Sequence, residues 1–386
     1  MAARTSLFSS SMRRWGWTVA LALVGCTGSL TVGGPDEDAG VQVTLDGDAP
    51  RPDAGPTPRP DADVPPPPDA GPPPPVDSGP TDPCAGVSCQ PNASCQPDGS
   101  CRCDEGFSAM GGDCVALPPG DPALRTQAEV CDAWRDGHVE NASPAWTAGP
   151  TMCDPGTMSP AAIDDTLRRV NMFRWLAGLG PVPHDASRHD EQMECAHMMS
   201  VNGALSHSPP MSWDCYTSGG ASSAGRSNIA LGYRTPGAAI DGYMGDRGTP
   251  SLGHRRWILG PRLGSVEIGF AGRGQCLGVF DRSGSSDRDW TAYPNQGFAP
   301  LELARYTWSF QVNSITLDRD ASVEVVRTSD GATLPVDHYQ TGGMGPPNAL
   351  GFTPNGWTPQ AGETYRVTIT GTSAGDITYE TTLVSC

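Results

Sequence analysis

The chain has 386 residues, of which 48 are Gly and 39 are Pro, and only 37 % are hydrophobic, so part of it is expected to build no packed core. Acids outnumber bases 43 to 25, a formal charge of −18, which argues against nucleic acid as a partner because phosphates need a basic footprint. Every base is Arg and none is Lys, which excludes a Schiff base, a Ser-Lys dyad and a Walker lysine.

Residues 1–25 read as a secretory signal. Arg4, Arg13 and Arg14 precede or open an apolar run from Trp15 to Gly25. That run is well short of the ~20 residues that cross a bilayer and fits a signal h-region. It ends Leu23-Val24-Gly25-Cys26, which resembles the bacterial lipobox. The resemblance implies cleavage before Cys26 and lipidation of that residue, anchoring the chain in a membrane. Setting Cys26 aside leaves an even number of the 13 Cys for pairing. Thr27, where an Asp would favour inner-membrane retention, points to an outer-membrane or surface lipoprotein of a Gram-negative cell envelope.

Residues 26–83 are expected to be a disordered linker. Between Pro35 and Pro83 there are sixteen Pro and eleven acids against two Arg. Such a stretch has little apolar surface to bury and favours an extended, polyproline-II-like, solvated spacer.

Residues 84–116 hold Cys84, Cys89, Cys95, Cys101, Cys103 and Cys114. A segment this short needs disulfide staples, and a C-x-C without paired C-x2-C arms fits zinc poorly. The order of cysteines resembles an EGF-like module. That resemblance implies the pairs Cys84–Cys95, Cys89–Cys101 and Cys103–Cys114. Only Asp82 stands where calcium-binding members carry an acidic cluster, so no calcium is expected.

Helical periodicity begins in the next segment, 121–300. Ser159-Pro160 predicts an N-cap and first-turn proline, followed by Ile163, Leu167, Val170, Phe173 and Leu176 at helical spacing and a stop at Gly178. A second helix is predicted from Asp185 to Asn202, ending at Gly203, with His197 packed inside it. Thr235-Pro236 and Thr249-Pro250 predict two further short helices. Val266–Phe270 and Cys276–Phe280 read as strands.

Five ordered blocks lie among these elements. They are Asn171 to Val182, Leu205-Ser206-His207-Ser208, Ala224 to Ala230, Ala238 to Met244, and Gly253-His254-Arg255-Arg256-Trp257-Ile258-Leu259 followed by Pro261. In that order they resemble the CAP superfamily, the cysteine-rich secretory and pathogenesis-related (SCP) fold, in its bacterial branch. The resemblance covers roughly residues 160–281 and implies an α-β-α sandwich; the chain as a whole is then expected to be α+β, with the cysteine-rich module before this domain and a small β-sandwich, read from the strand pattern of the last segment, after it.

Domains of this kind line a cleft with two His and two Glu that can hold a divalent metal. Carried over by position, the cleft residues here are His207, Ser227, Asp246 and His254. One carboxylate is thus replaced by a hydroxyl and the other is shortened by a methylene. His207, His254 and Asp246 form the candidate metal set, implying at most weak binding of a divalent ion such as zinc. His207, Ser227 and Asp246 also supply the residue types of a hydrolytic triad, which geometry alone can establish. Arg255 and Arg256 are candidates for pairing with carboxylates or for anion recognition. The altered set favours a tethered, non-enzymatic protein that binds a lipid, cell-wall component or protein partner. The alternative is a metal-dependent or serine-type hydrolase working in the same cleft.

Cys131, Cys153, Cys195, Cys215, Cys276 and Cys386 allow fifteen connectivities. The simplest pairs neighbours: Cys131–Cys153, Cys195–Cys215 and Cys276–Cys386. The last segment, 301–386, reads as β. Thr307–Val312, Ser322–Arg327, Thr364–Gly371 and Asp376–Val384 are strand-like, and Trp290, Trp308 and Trp357 are predicted to pack in the core or between domains.

Overall fold

The computed structural model describes residues 82–386 except 96–98, 100, 105–106, 111–112, 117–119 and 343–344. The predicted signal, Cys26 and nearly all of the proline-rich linker lie outside the described residues. Among the described residues no helix is long and apolar enough to cross a membrane.

The cysteine-rich segment forms two small antiparallel pairs. β1 (Ala93–Cys95) pairs with β2 (Cys101–Cys103), and β3 (Phe107–Met110) with β4 (Asp113–Ala116). Cys84–Cys95 and Cys89–Cys101 are bridged, and Cys114 is disulfide-bonded as well.

α1 (Gln127–Gly137) opens on a capping box between Thr126 and Glu129. After the short β5 (Trp146–Thr147) and β6 (Thr157–Met158) comes α2 (Pro160–Leu176), capped by Ser159 as its sequence requires. α3 (His189–Asn202) ends at Gly203 in the left-handed conformation, φ 59°. α4 (Ser218–Ala224) leads into β7 (Ser227–Leu231), and α5 (Pro236–Gly245) is capped by Thr235. Thr249-Pro250 starts no helix. Two successive turns, Thr249 N to Asp246 O and Leu252 N to Thr249 O, occupy that stretch, and α6 (Gly253–Ile258) begins only after them.

β8 (Glu267–Ala271) and β9 (Gly274–Gly278) join β7 in an antiparallel sheet of order β7-β9-β8. α3 lies flat on one face of this sheet. A Cβ at Gly269 would come within 2.3 Å of the Gln192 backbone and one at Gly274 within 2.2 Å of the Ala196 carbonyl oxygen. Glycine at these positions is what allows helix and sheet to approach so closely.

The last ninety or so residues make two sheets. β10 (Trp290–Tyr293), β12 (Trp308–Val312), β16 (Ala349–Pro354) and β15 (Val336–Gln340) form one, in the order given. The other runs β11 (Gly297–Pro300), β18 (Ile377–Val384), β17 (Thr364–Thr372), β13 (Leu317–Arg327) and β14 (Ala332–Leu334), with β11 and β18 parallel. Phe310 and Phe352 of the first sheet share a core with Val325, Val367, Ile369 and Leu383 of the second. Trp308 sits in that core, and Trp290 and Trp357 pack against it.

The neighbour-to-neighbour disulfides in 131–386 are corrected. The bridges are Cys131–Cys386, Cys153–Cys215 and Cys195–Cys276. Cys195 is fully buried on the sheet-facing side of α3, where β9 presents Cys276. Packing of α3 on the sheet, rather than proximity in sequence, chooses the partner.

Candidate functional site

The site grows from the end of α5. Asp246 caps this helix in a left-handed conformation, φ 47°, one that Asp tolerates better than most residues. Its carboxylate is buried and meets the start of α6. Oδ1 lies 2.7 Å from His254 Nδ1, and Oδ2 accepts from the Arg255 backbone N–H at 3.3 Å. A carboxylate on Nδ1 favours the proton there and leaves Nε2 as the acceptor of a neutral ring. The His254 ring stacks on Tyr243, centroids 5.3 Å apart, and its carbonyl accepts from Asn228 Nδ2 of β7 at 3.0 Å.

Tyr243 is itself buried, its hydroxyl 2.9 Å from the Asn228 carbonyl and 3.2 Å from that of Gln275. Burial pushes its pKa well above the ordinary tyrosine value, so it remains a neutral donor and structural support. The pair His254–Asp246 opens into a cleft of about 440 Å³. Tyr233, Tyr243, Tyr306, Arg247, Leu205 and Ile229 are among its walls. Tyr306 comes from just before β12, so the C-terminal sheets complete the cleft. The Arg247 guanidinium lies 4.9 Å from the Tyr306 ring centre.

The structure brings Asp246 and His254 together, while the hydrogen bonds of His207 and Ser227 go to other groups. His207 is exposed, with Nδ1 2.8 Å from the Ala224 carbonyl, and does not line the cleft. Ser227 is a correction with a simple origin. It pairs with Gly278 across β7 and β9, and the Cβ of residue 278 would face Gln192 of α3. Cross-strand partners share a face, so Ser227 points at α3. Its hydroxyl lies 2.8 Å from the Ser223 carbonyl and 3.1 Å from Gln192 Oε1.

The donor set therefore does not fit a metal. Among the described residues no three His, Cys, Asp or Glu side chains are grouped as an ion would require, so His207, His254 and Asp246 are not a ligand triad. The triad of His207, Ser227 and Asp246 is likewise not assembled.

Arg255 and Arg256 are also corrected. Both are about 1 % exposed, but their guanidinium groups are held by backbone carbonyls and, for Arg255, by the Ser309 hydroxyl. Among the described residues neither guanidinium forms an ion pair with a carboxylate, and Asp246 acts on both only through space. His197 is packed as expected, Nε2 2.8 Å from the Met152 carbonyl. Sequence reasoning missed Tyr233, Arg247 and Tyr306. Arg247 follows Asp246 directly, and that adjacency was a usable signal; Tyr306 lies outside every block of the resemblance and had none.

Residues 167–278 match the family model described as CAP, the cysteine-rich secretory protein family. No curated protein matches the chain. Among solved structures, an extracellular protein containing an SCP domain from Bacillus anthracis str. Ames is similar at 17 % identity and a TM-score of 0.25. The match covers 32 % of this chain and 43 % of that one, so this chain spans less than half the length of that structure.

Proposed function

We propose that this is a secreted CAP-domain protein that binds its ligand in the His254–Asp246 cleft without transforming it. In the same reading Cys26 carries the lipid that tethers the chain to the outer membrane or cell surface. The proline-rich linker and an EGF-like module then hold the CAP domain and a β-sandwich away from the membrane.

One observation carries the binding reading. Among the described residues Asp246 is the side chain hydrogen-bonded to the His254 ring; Thr249 lines the same cleft with no hydrogen bond to that ring, and the hydroxyl of Ser227 is spent on α3. A histidine–aspartate pair with no hydroxyl or thiol hydrogen-bonded to its ring is placed to orient a ligand rather than to activate a nucleophile. Among lipid, cell-wall component and protein partner, the lining favours a cell-wall component. Three tyrosines stand beside Asp241, Asp246, Arg247 and His254, a mixture that suits a polar ligand with flat faces better than an acyl chain.

The test is calorimetric titration of the full chain in detergent with soluble bacterial cell-wall fragments. Wild type is expected to bind, and His254→Gln to bind about tenfold more weakly through loss of one hydrogen bond to the ligand. Hydrolysis of 4-nitrophenyl acetate should be the same for both proteins. Hydrolysis that depends on His254 would overturn the reading in favour of a hydrolase.

A further inference from the structure

We infer that the cleft continues across Tyr306 into a second concavity on the C-terminal sheets, and that the two together take a linear acidic oligosaccharide. The inference rests on the binding reading of the cleft and extends it to a ligand class. Tyr306 is a wall of both spaces. The second, about 540 Å³, lies between the 3-10 turn Leu301–Arg305, the end of β16 and the loop that carries Trp357. Both volumes fall within the ~300–1,000 Å³ of small-molecule sites.

The second concavity has the parts that recognise sugars. Trp357 is half-buried, its ring 5.2 Å from that of Tyr365 and its Nε1 donating to the Pro335 carbonyl at 2.7 Å. The ring is thereby held as a platform before any ligand arrives, which lowers the cost of binding. With Tyr306 it offers aromatic surface for the C–H faces of pyranose rings. Thr353, Thr358 and Gln360 around it are exposed hydrogen-bonding side chains without charge.

The acid preference comes from two arginines. Arg247 lines the first space and Arg305 the second, and both are exposed. Arg135, Arg226, Arg327 and Arg366 are paired with carboxylates; Arg234, Arg262, Arg282 and Arg319 are exposed without an ion pair among the described residues, but they line neither space. Arg247 and Arg305 form no ion pair among the described residues. In a chain with 43 acids and 25 bases, one guanidinium without an ion pair in each of the two spaces suits a ligand that brings its own carboxylates at intervals. Asp241 and Asp246 also line the first space, but they are engaged by Arg169 and His254, and exposed charge farther than ~8 Å is largely screened at physiological salt.

The experiment is calorimetric titration of the full chain in detergent with hexagalacturonate. Monomeric galacturonate, cellohexaose and hexaglutamate serve as comparisons. Hexagalacturonate should bind at least about tenfold more tightly than each of the three, and Arg247→Gln and Arg305→Gln should each weaken it about tenfold, the loss of one charge-assisted contact. Both arginines are exposed, and thermal unfolding of the variants verifies that they fold. Cellohexaose binding as tightly would overturn the acid preference, and hexaglutamate binding as tightly would mean a peptide site. If Arg247→Gln weakens binding and Arg305→Gln does not, the ligand stays in the first cleft, and the extension fails while the proposed function stands. Absence of any hexagalacturonate binding overturns the inference alone, since the binding of wall fragments and its dependence on His254 are measured separately.

Discussion

At the scale of single residues, Ser227 separates a position in an alignment from a position in space. A strand turns successive side chains to opposite faces. The register of Ser227 with Gly278 puts its hydroxyl beneath α3, beside Gln192, whose Nε2 donates to Glu267 Oε2 at 2.6 Å. Glu267 and Glu191 already share Arg226. A carboxylate at 227 would be buried, without an open cation and close to two other acids. Ser227→Glu is therefore expected to destabilise the protein by about 3 kcal/mol and to create no zinc affinity. Urea unfolding and zinc calorimetry check this; a variant of unchanged stability that gains zinc binding would show that the side chain reaches the cleft. Asp246 is the opposite case. Its shorter side chain still reaches His254 because the left-handed cap at φ 47° brings the carboxylate to the start of α6. The Asp246–His254 half of the site was legible because both residues sit in motifs whose local backbone sets them. The Ser227 half was not, because facing depends on a register that no local motif specifies.

At the scale of elements, what was legible is what short-range chemistry decides. Ser159-Pro160 and Thr235-Pro236 each satisfy first-turn N–H groups, and Gly203 accepts a left-handed end, so those helix boundaries follow from a few neighbouring residues. The cysteine pairing was not legible because it joins elements distant in the chain. Cys386, just beyond β18, closes on Cys131 of α1 across a separation of 255 residues. A loop of that length removes much conformational freedom from the unfolded chain, about 5.5 kcal/mol in the chain-entropy account. The double variant Cys131→Ser, Cys386→Ser should lose stability on that scale in denaturant unfolding, with proteolysis beginning at the released C-terminus. Unchanged stability would mean that the contacts of α1 and β18 with their neighbours, rather than the bridge, hold the chain end.

At the scale of the whole molecule, buried arginines join the cleft-bearing helices to the C-terminal sheets. Arg255 donates to the Met244 carbonyl at 2.7 Å and the Gly245 carbonyl at 3.3 Å, at the end of α5. The same guanidinium donates to the Thr307 carbonyl at 2.7 Å and the Ser309 hydroxyl at 3.0 Å, at the start of β12, and its face lies 3.8 Å from the centre of the Tyr293 ring. Arg256 reaches the Pro346 and Pro347 carbonyls before β16. Within the helical part itself, Arg174 ties α2 to the end of α6 through the Ile258 and Gly260 carbonyls, with burial lowering its pKa to about 10. These cations are compensated largely by backbone dipoles, so each side of the junction depends on the other for its hydrogen bonds. Arg255→Met would strand several buried acceptors and is expected to cost about 3 kcal/mol. Because Tyr306 adjoins Thr307, the same change should weaken binding in the cleft. Arg255→Lys keeps the charge but cannot fork toward both sides, and it should rescue less than half of the loss. Unfolding followed by tryptophan fluorescence and far-UV circular dichroism, with cell-wall-fragment binding measured on the same samples, decides the point. A lysine variant as stable as wild type would show that charge, not the geometry of the guanidinium, holds the two parts together.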